Sequence, residues 1–245
     1  MNAIVFSGPS LPPSKALFVP EVEWRPPVRQ GDLYKAALCR PALIGVIDGT
    51  FELVPTVWHK EILWAMAHGI HVYGAASIGA LRAAELCDFG MKGIGDVFRQ
   101  FHTGVLQDDD EVAVLHGPEQ IDYAQVTEAM VNIRATLSHA LHCGIVEPAV
   151  AAELLRIGKS LFYKDRTYEA IFTRAAQLGL SHDILTRLAN WLPSGQIDQK
   201  RLDALEMLQA MREHLMNGVY PLQVSYQFAH TFAWENARQR AEAGL

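Results

Sequence analysis

The chain has 245 residues, half of them hydrophobic and a fifth charged, enough apolar material for a real core in one large domain or two modest ones. Its 21 basic and 27 acidic residues leave a net charge of −6, which excludes a basic footprint for nucleic acid. The three scattered cysteines (Cys39, Cys87, Cys143) make no disulfide framework and read as reduced thiols.

No N-terminal targeting pattern and no run near the ~18 apolar residues of a membrane span is present, so a soluble, cytoplasmic protein without membrane contact is expected. The first half alternates short β-branched runs with helical stretches, the pattern of an α/β layer. Ala3 to Phe6 is a buried-strand candidate stopping at Ser7-Gly8-Pro9-Ser10. A proline-rich stretch follows to Pro27, with an edge strand expected around Phe18-Val19. Asp32 is placed to cap a helix reaching Arg40, which Pro41 would end. Leu43 to Ile47 is the second main strand, closed by Asp48-Gly49. Pro55 suits the first turn of a helix reaching His68, with Gly69 as its stop. Ile70 to Tyr73 is a third strand, breaking at Gly74-Ala-Ala-Ser77 into a helix from Ile78 to Leu86. The segment Gly90 to Gly104 reads as mostly helical, and Val112 to Leu115 as one more strand.

Beyond Glu128 almost every pattern has the helical period, interrupted at Gly144, Gly179, Pro193-Ser-Gly195 and Asn217-Gly218. The expected architecture is therefore a small, mostly parallel α/β sheet with flanking helices over residues 1–122. An all-helical, partner-binding region follows over 123–245.

In a parallel sheet, ligands bind outside the carboxyl ends of the strands. Three strand ends are polar or small: Ser7-Gly8, Asp48-Gly49 and Gly74-Ala-Ala-Ser77. Ser77 stands in a strand–turn–helix setting akin to a nucleophile elbow, although Ala75 occupies the place of that motif's first glycine. The alternative is that Ser77 merely caps the helix. A serine nucleophile needs a base. His59 lies in the first turns of the helix after Asp48, and the adjacent Lys60 is the alternative; both would otherwise be solvated. Asp48 is either a turn former with Gly49 or an active-site acid. His68 and His71 read as surface residues. The Asp108–Glu111 acids read as a solvated loop, with a hard-cation site as the less favoured option. No spacing fits a zinc site and there is no Walker A or G-x-G-x-x-G motif, so no metal or cofactor is expected.

Longer blocks carry a resemblance. Ile47-Asp-Gly-Thr-Phe-Glu-Leu-Val-Pro-Thr-Val-Trp-His-Lys-Glu-Ile-Leu-Trp-Ala-Met66 and Val72-Tyr-Gly-Ala-Ala-Ser-Ile-Gly-Ala-Leu-Arg-Ala-Ala-Glu-Leu86 resemble the TfuA-like family. So do the Asp108–Pro118 and Glu128–Leu137 blocks. The resemblance covers roughly residues 1–140 and leaves the chain beyond about 165 uninterpreted.

It implies work beside a YcaO-type enzyme, which uses ATP to exchange a peptide oxygen for sulfur in a precursor peptide or protein. The implied reaction is hydrolysis of the C-terminal thiocarboxylate on a ThiS-like, ubiquitin-fold sulfur carrier, releasing sulfide. On that footing Ser77 is the nucleophile, His59 or Lys60 its base, and Asp48 the group that orients the base or a water. Backbone N–H groups of Ile78 or Gly8 would form the oxyanion hole. Arg82 and Arg134 either pair with carboxylates of the fold or clamp the thiocarboxylate, and the Pro12–Pro27 loop would wall the groove for the carrier tail. Two other readings stand beside this one: a non-catalytic adaptor, and an unrelated small-molecule hydrolase.

Overall fold

The buried β-branched runs of the first half build the expected sheet. The computed structural model describes residues 3–15, 22–50 and 54–244. Strands β1 (Ala3–Phe6), β2 (Val22–Arg25), β3 (Leu43–Val46), β4 (His71–Gly74) and β5 (Lys92–Gly93) are all parallel, in the order β2-β1-β3-β4-β5. The register aligns Val5 with Gly45 and Gly45 with Tyr73. Strands β1, β3 and β4 are buried along their whole length, as central strands covered on both faces must be.

Helices α1 (Asp32–Leu38), α2 (His59–Ala67) and α3 (Ile78–Leu86) form the crossovers from β2 to β3, β3 to β4 and β4 to β5. All three steps run the same way across the sheet, so right-handed connections put these helices on one face. There Leu33, Ile62, Met66, Ala83 and Leu86 share a core with Ile4, Phe6, Ile44, Val46 and Val72. The alternate strand residues Ala3, Val5, Leu43 and Tyr73 point to the other face, which none of these crossovers can reach. Helix α9 (Gln199–Met216) covers it with Ala204, Met207, Leu208 and Met211. Gly45 makes room for that helix: a Cβ there would stand 2.9 Å from both Met207 Cε and Met211 Sδ.

This packing divides the chain elsewhere than at residue 122. One compact unit comprises residues 1–107 together with 201–245, and the other residues 108–200. The first also holds α4 (Asp96–His102) and α10 (Phe232–Ala243), whose Trp234 packs on Tyr34, Trp58 and Trp64. The second is helical: α5 (Met130–His142), α6 (Pro148–Ser160), α7 (Tyr168–Gln177) and α8 (His182–Gly195) enclose Met130, Ile133, Leu154, Ile157, Ile171 and Leu188.

Several local expectations are corrected. The edge strand around Phe18-Val19 lies outside the described residues; the edge position is held by Val22–Arg25. Gly31 in the left-handed region caps α1, and the Asp32 carboxylate instead accepts the Arg29 N–H at 2.9 Å. Helix α2 begins at His59, not Pro55, because the Pro55 carbonyl is occupied by the Gln30 N–H and the Glu61 carboxylate takes the Trp58 N–H. Val112–Leu115 is not a strand, since Val112 and Ala113 donate back to Asp109 and Asp110 in a tight turn. The acidic run is a solvated loop only in part: Asp108 and Asp109 are exposed, whereas Glu111 is buried. Lys159 pairs with Asp108, Asp110 and Glu111, and the fully buried Arg166 pairs with Asp110. His71 is buried, and its Nε2–H donates to the Tyr220 carbonyl at 2.9 Å.

Candidate functional site

In this strand order the connections leave β1 and β3 in opposite directions, which opens a crevice outside their carboxyl ends. Asp48 fills it. Its buried carboxylate accepts the N–H groups of Gly8 at 3.0 Å and Ser10 at 2.9 Å, and the Ser10 hydroxyl at 2.6 Å. Both carboxylate oxygens are thus committed to the loop after β1. Asp48 does not orient His59 or Lys60, and Gly8 spends its N–H on Asp48 rather than on an oxyanion. The residue is a pin that closes the crevice from within.

The turn after β4 differs. Gly74 and Gly79 let α3 settle directly onto the sheet: a Cβ on Gly79 would collide with the Val46 carbonyl, and one on Gly74 with the Gly79 carbonyl. Squeezing the turn this tightly drives Ala76 to φ 66°, a left-handed conformation that disfavours any residue with a Cβ by roughly 1–2 kcal/mol. Ser77 follows as the residue that caps α3, yet its side chain makes no cap hydrogen bond. It is 8% exposed. The Ser77 N–H donates to Ala75, the Gly79 N–H to Ile47, and the Ala80 N–H to Ser77. The Ile78 N–H donates to no backbone carbonyl among the described residues, as is usual for the first residue of a helix.

The proposed bases sit elsewhere. His59 Nε2–H donates to Glu85 at 2.8 Å, and Arg82 donates to the same carboxylate oxygen at 2.7 Å and to the Val57 carbonyl at 3.2 Å. Burial alone would raise the Glu85 carboxyl, but the hydrogen bonds and charges of His59 and Arg82 hold it below its ordinary value. Glu85 is eight residues along α3 from Ser77, about 12 Å of helix rise, so His59 is anchored well away from the hydroxyl. Lys60 donates to the Ala229 carbonyl at 2.5 Å and to Thr231 Oγ1 at 3.2 Å, and lies 5.1 Å over the Phe228 ring. It fastens the segment before α10.

Arg82 and Arg134 both follow the carboxylate-pairing reading. Arg134 grips Glu111 through Nε and Nη2, each at 2.9 Å, and this bidentate bond raises its pKa further. Sequence reasoning missed two carboxylates here. Glu85 was signalled by its spacing of three from Arg82 on one helix face. Glu61, 2% exposed, accepts the backbone N–H groups of Gly31, Tyr34 and Trp58, and burial raises its pKa. Its signal was a Glu in the third position of α2.

No helix among the described residues is long and apolar enough to cross a membrane, and none of their His, Cys, Asp and Glu side chains gather as a metal-holding group. No curated protein matches the chain. Residues 48–167, about half of it, match the family of TfuA-like proteins. That span opens on Asp48 and takes in the Ser77 turn, the His59–Glu85–Arg82 cluster and Arg134, and by it the chain belongs to the TfuA-like family.

Proposed function

We propose that this protein hydrolyses the C-terminal thiocarboxylate of a ThiS-like, ubiquitin-fold sulfur carrier. The sulfide released would feed a YcaO-type enzyme that thioamidates a precursor peptide or protein with ATP. The family is associated with YcaO-dependent thioamidation. The observation that carries the reading is the Ser77 turn: a hydroxyl released from capping, beside an Ile78 N–H with no backbone acceptor.

In this reading Ser77 Oγ attacks the carbonyl carbon and the Ile78 N–H bonds the developing oxyanion, a contribution of about 3 kcal/mol for one such donor. None of His59, Lys60 and Asp48 hydrogen-bonds the hydroxyl, so the proton must go elsewhere. The substrate supplies the acceptor. The thiocarboxylate anion and the serine hydroxyl give an acyl ester and HS⁻, with the hydroxyl proton departing on sulfur. Water then cleaves the ester, restoring the hydroxyl and leaving a carboxylate, with one proton released to solvent or to HS⁻. A second reading, the non-catalytic adaptor, draws support from the same engagement of His59, Lys60 and Asp48, which leaves Ser77 without a protein base.

The test is to incubate the purified protein with thiocarboxylated carrier and follow the carrier's intact mass and sulfide release together. Conversion of thiocarboxylate to carboxylate, lost in Ser77→Ala and retained in Lys60→Met, supports the hydrolase. An untouched thioacid alongside accelerated YcaO-dependent thioamidation establishes the adaptor instead.

A further inference from the structure

A broad groove of the first unit is lined without the Ser77 turn. About 1100 Å³ in volume, it runs between the segment from Val54 to Trp58, α1 and α10. One wall is apolar, with Pro55, Val57 and Trp58; the α10 wall presents Ala233, Ala237 and Ala241, small enough to leave the space between them open. Behind the lining residues of α1 and α10, Tyr34 packs edge-to-face on Trp64 and on Trp234, which is only 1% exposed.

The charges along its length are almost all of one sign. Arg29, Lys35, His59, Arg82 and Arg240 line it, against Asp32 as the sole carboxylate on the lining. His59 and Arg82 are already bonded to Glu85, and Asp32 is turned onto the Arg29 backbone. Arg29, Lys35 and Arg240 have no ion pair among the described residues. A protein with a net charge of −6 thus concentrates uncompensated cations on the rim of one apolar-walled groove. Uncompensated like charges disfavour the empty groove and favour an anionic occupant.

We infer that this groove docks a short acidic segment of a partner polypeptide. A small anion would need donors converging on one point, whereas here Arg29 and Lys35 stand on the α1 side and Arg240 on the α10 side. A nucleic acid would meet repulsion from the rest of this acidic chain. An extended peptide satisfies both features: its carbon framework lies along Pro55, Trp58 and Ala233, and its spaced carboxylates reach the rim cations. The inference is independent of the Ser77 chemistry and survives its failure.

The test uses the 245-residue chain and a fluorescein-labelled ten-residue Glu/Ala/Gly peptide, read by anisotropy, with the tryptophan emission of wild type against Trp58→Phe as a second signal. The Glu peptide is expected to bind at least tenfold more tightly than its Gln counterpart, and to weaken steeply with salt. Arg29→Glu/Lys35→Glu/Arg240→Glu should lose at least tenfold in affinity. Ala233→Trp, which fills the groove without changing its charge, should do the same while the circular dichroism and Tm stay put. Equal binding of the Gln peptide, or full binding by both variants, overturns the proposal. Displacement by inorganic tripolyphosphate at matched charge overturns it in favour of a small-anion site.

Discussion

Two turns leave the carboxyl edge of the same sheet, after β3 and after β4, and they are built in opposite ways. At the first, Asp48 spends both carboxylate oxygens on Gly8 and Ser10, so this carboxylate is satisfied internally. At the second, a strained Ala76 delivers a serine that declines the capping bond open to it. The contrast separates two kinds of polar residue at a strand end. A saturated carboxylate holds loops together, whereas an uncommitted hydroxyl beside an unpaired N–H is available for chemistry.

The sharpest way to break the comparison is at its foundation. Gly79→Ala forces a Cβ into the Val46 carbonyl and should cost upwards of ~4 kcal/mol, or prevent folding altogether. A urea midpoint close to wild type would show that α3 can lift off the sheet and that the turn is not held under compression. Next comes Asp48→Ala, which strands two buried N–H groups and the Ser10 hydroxyl. We expect a loss of ~3 kcal/mol in chemical denaturation. Full stability combined with lost sulfide release would move Asp48 from scaffold to chemistry and erase the contrast. Glu61→Ala should follow at about 2 kcal/mol, because three backbone donors lose their acceptor.

Ser77→Ala should barely change Tm, by less than ~0.5 kcal/mol equivalent, whereas loss of a working cap takes about 1 kcal/mol. A clear destabilisation would return Ser77 to the capping role. The His59–Glu85–Arg82 cluster contributes in a pH-dependent way. The depressed Glu85 pKa means that its contribution is complete above the ordinary carboxylate range and fades as pH falls through the lowered folded value. Glu85→Gln should flatten that part of the acid stability profile by under ~1 kcal/mol, since the pair is partly exposed. An unchanged profile would detach the cluster from stability.

Much of this was legible in advance for a simple reason. Local period and local punctuation gave β1, β3, β4 and α3 almost to the residue, because buried parallel strands are continuous apolar runs and Gly-Ala-Ala-Ser can only be a turn. Ser77 could be singled out by the same logic. Val112–Leu115 was misread because a β-branched run looks alike whether it pairs with a strand or lies against helices. His59 and Lys60 were misplaced because proximity in sequence to Asp48 says nothing about which carboxylate or carbonyl, decades of residues away, each side chain finally meets.

The chain's order of apolar runs, glycines and crossovers was by itself enough to dictate a parallel sheet and the position of Ser77 at its carboxyl edge. Tertiary structure alone decided what covers the second face, where α9 returns from far along the chain, and which polar groups are already spent. Hydrogen-bond partners and helix-on-sheet packing are long-range, and the one-way hand of the crossovers leaves a face that no neighbouring segment can fill.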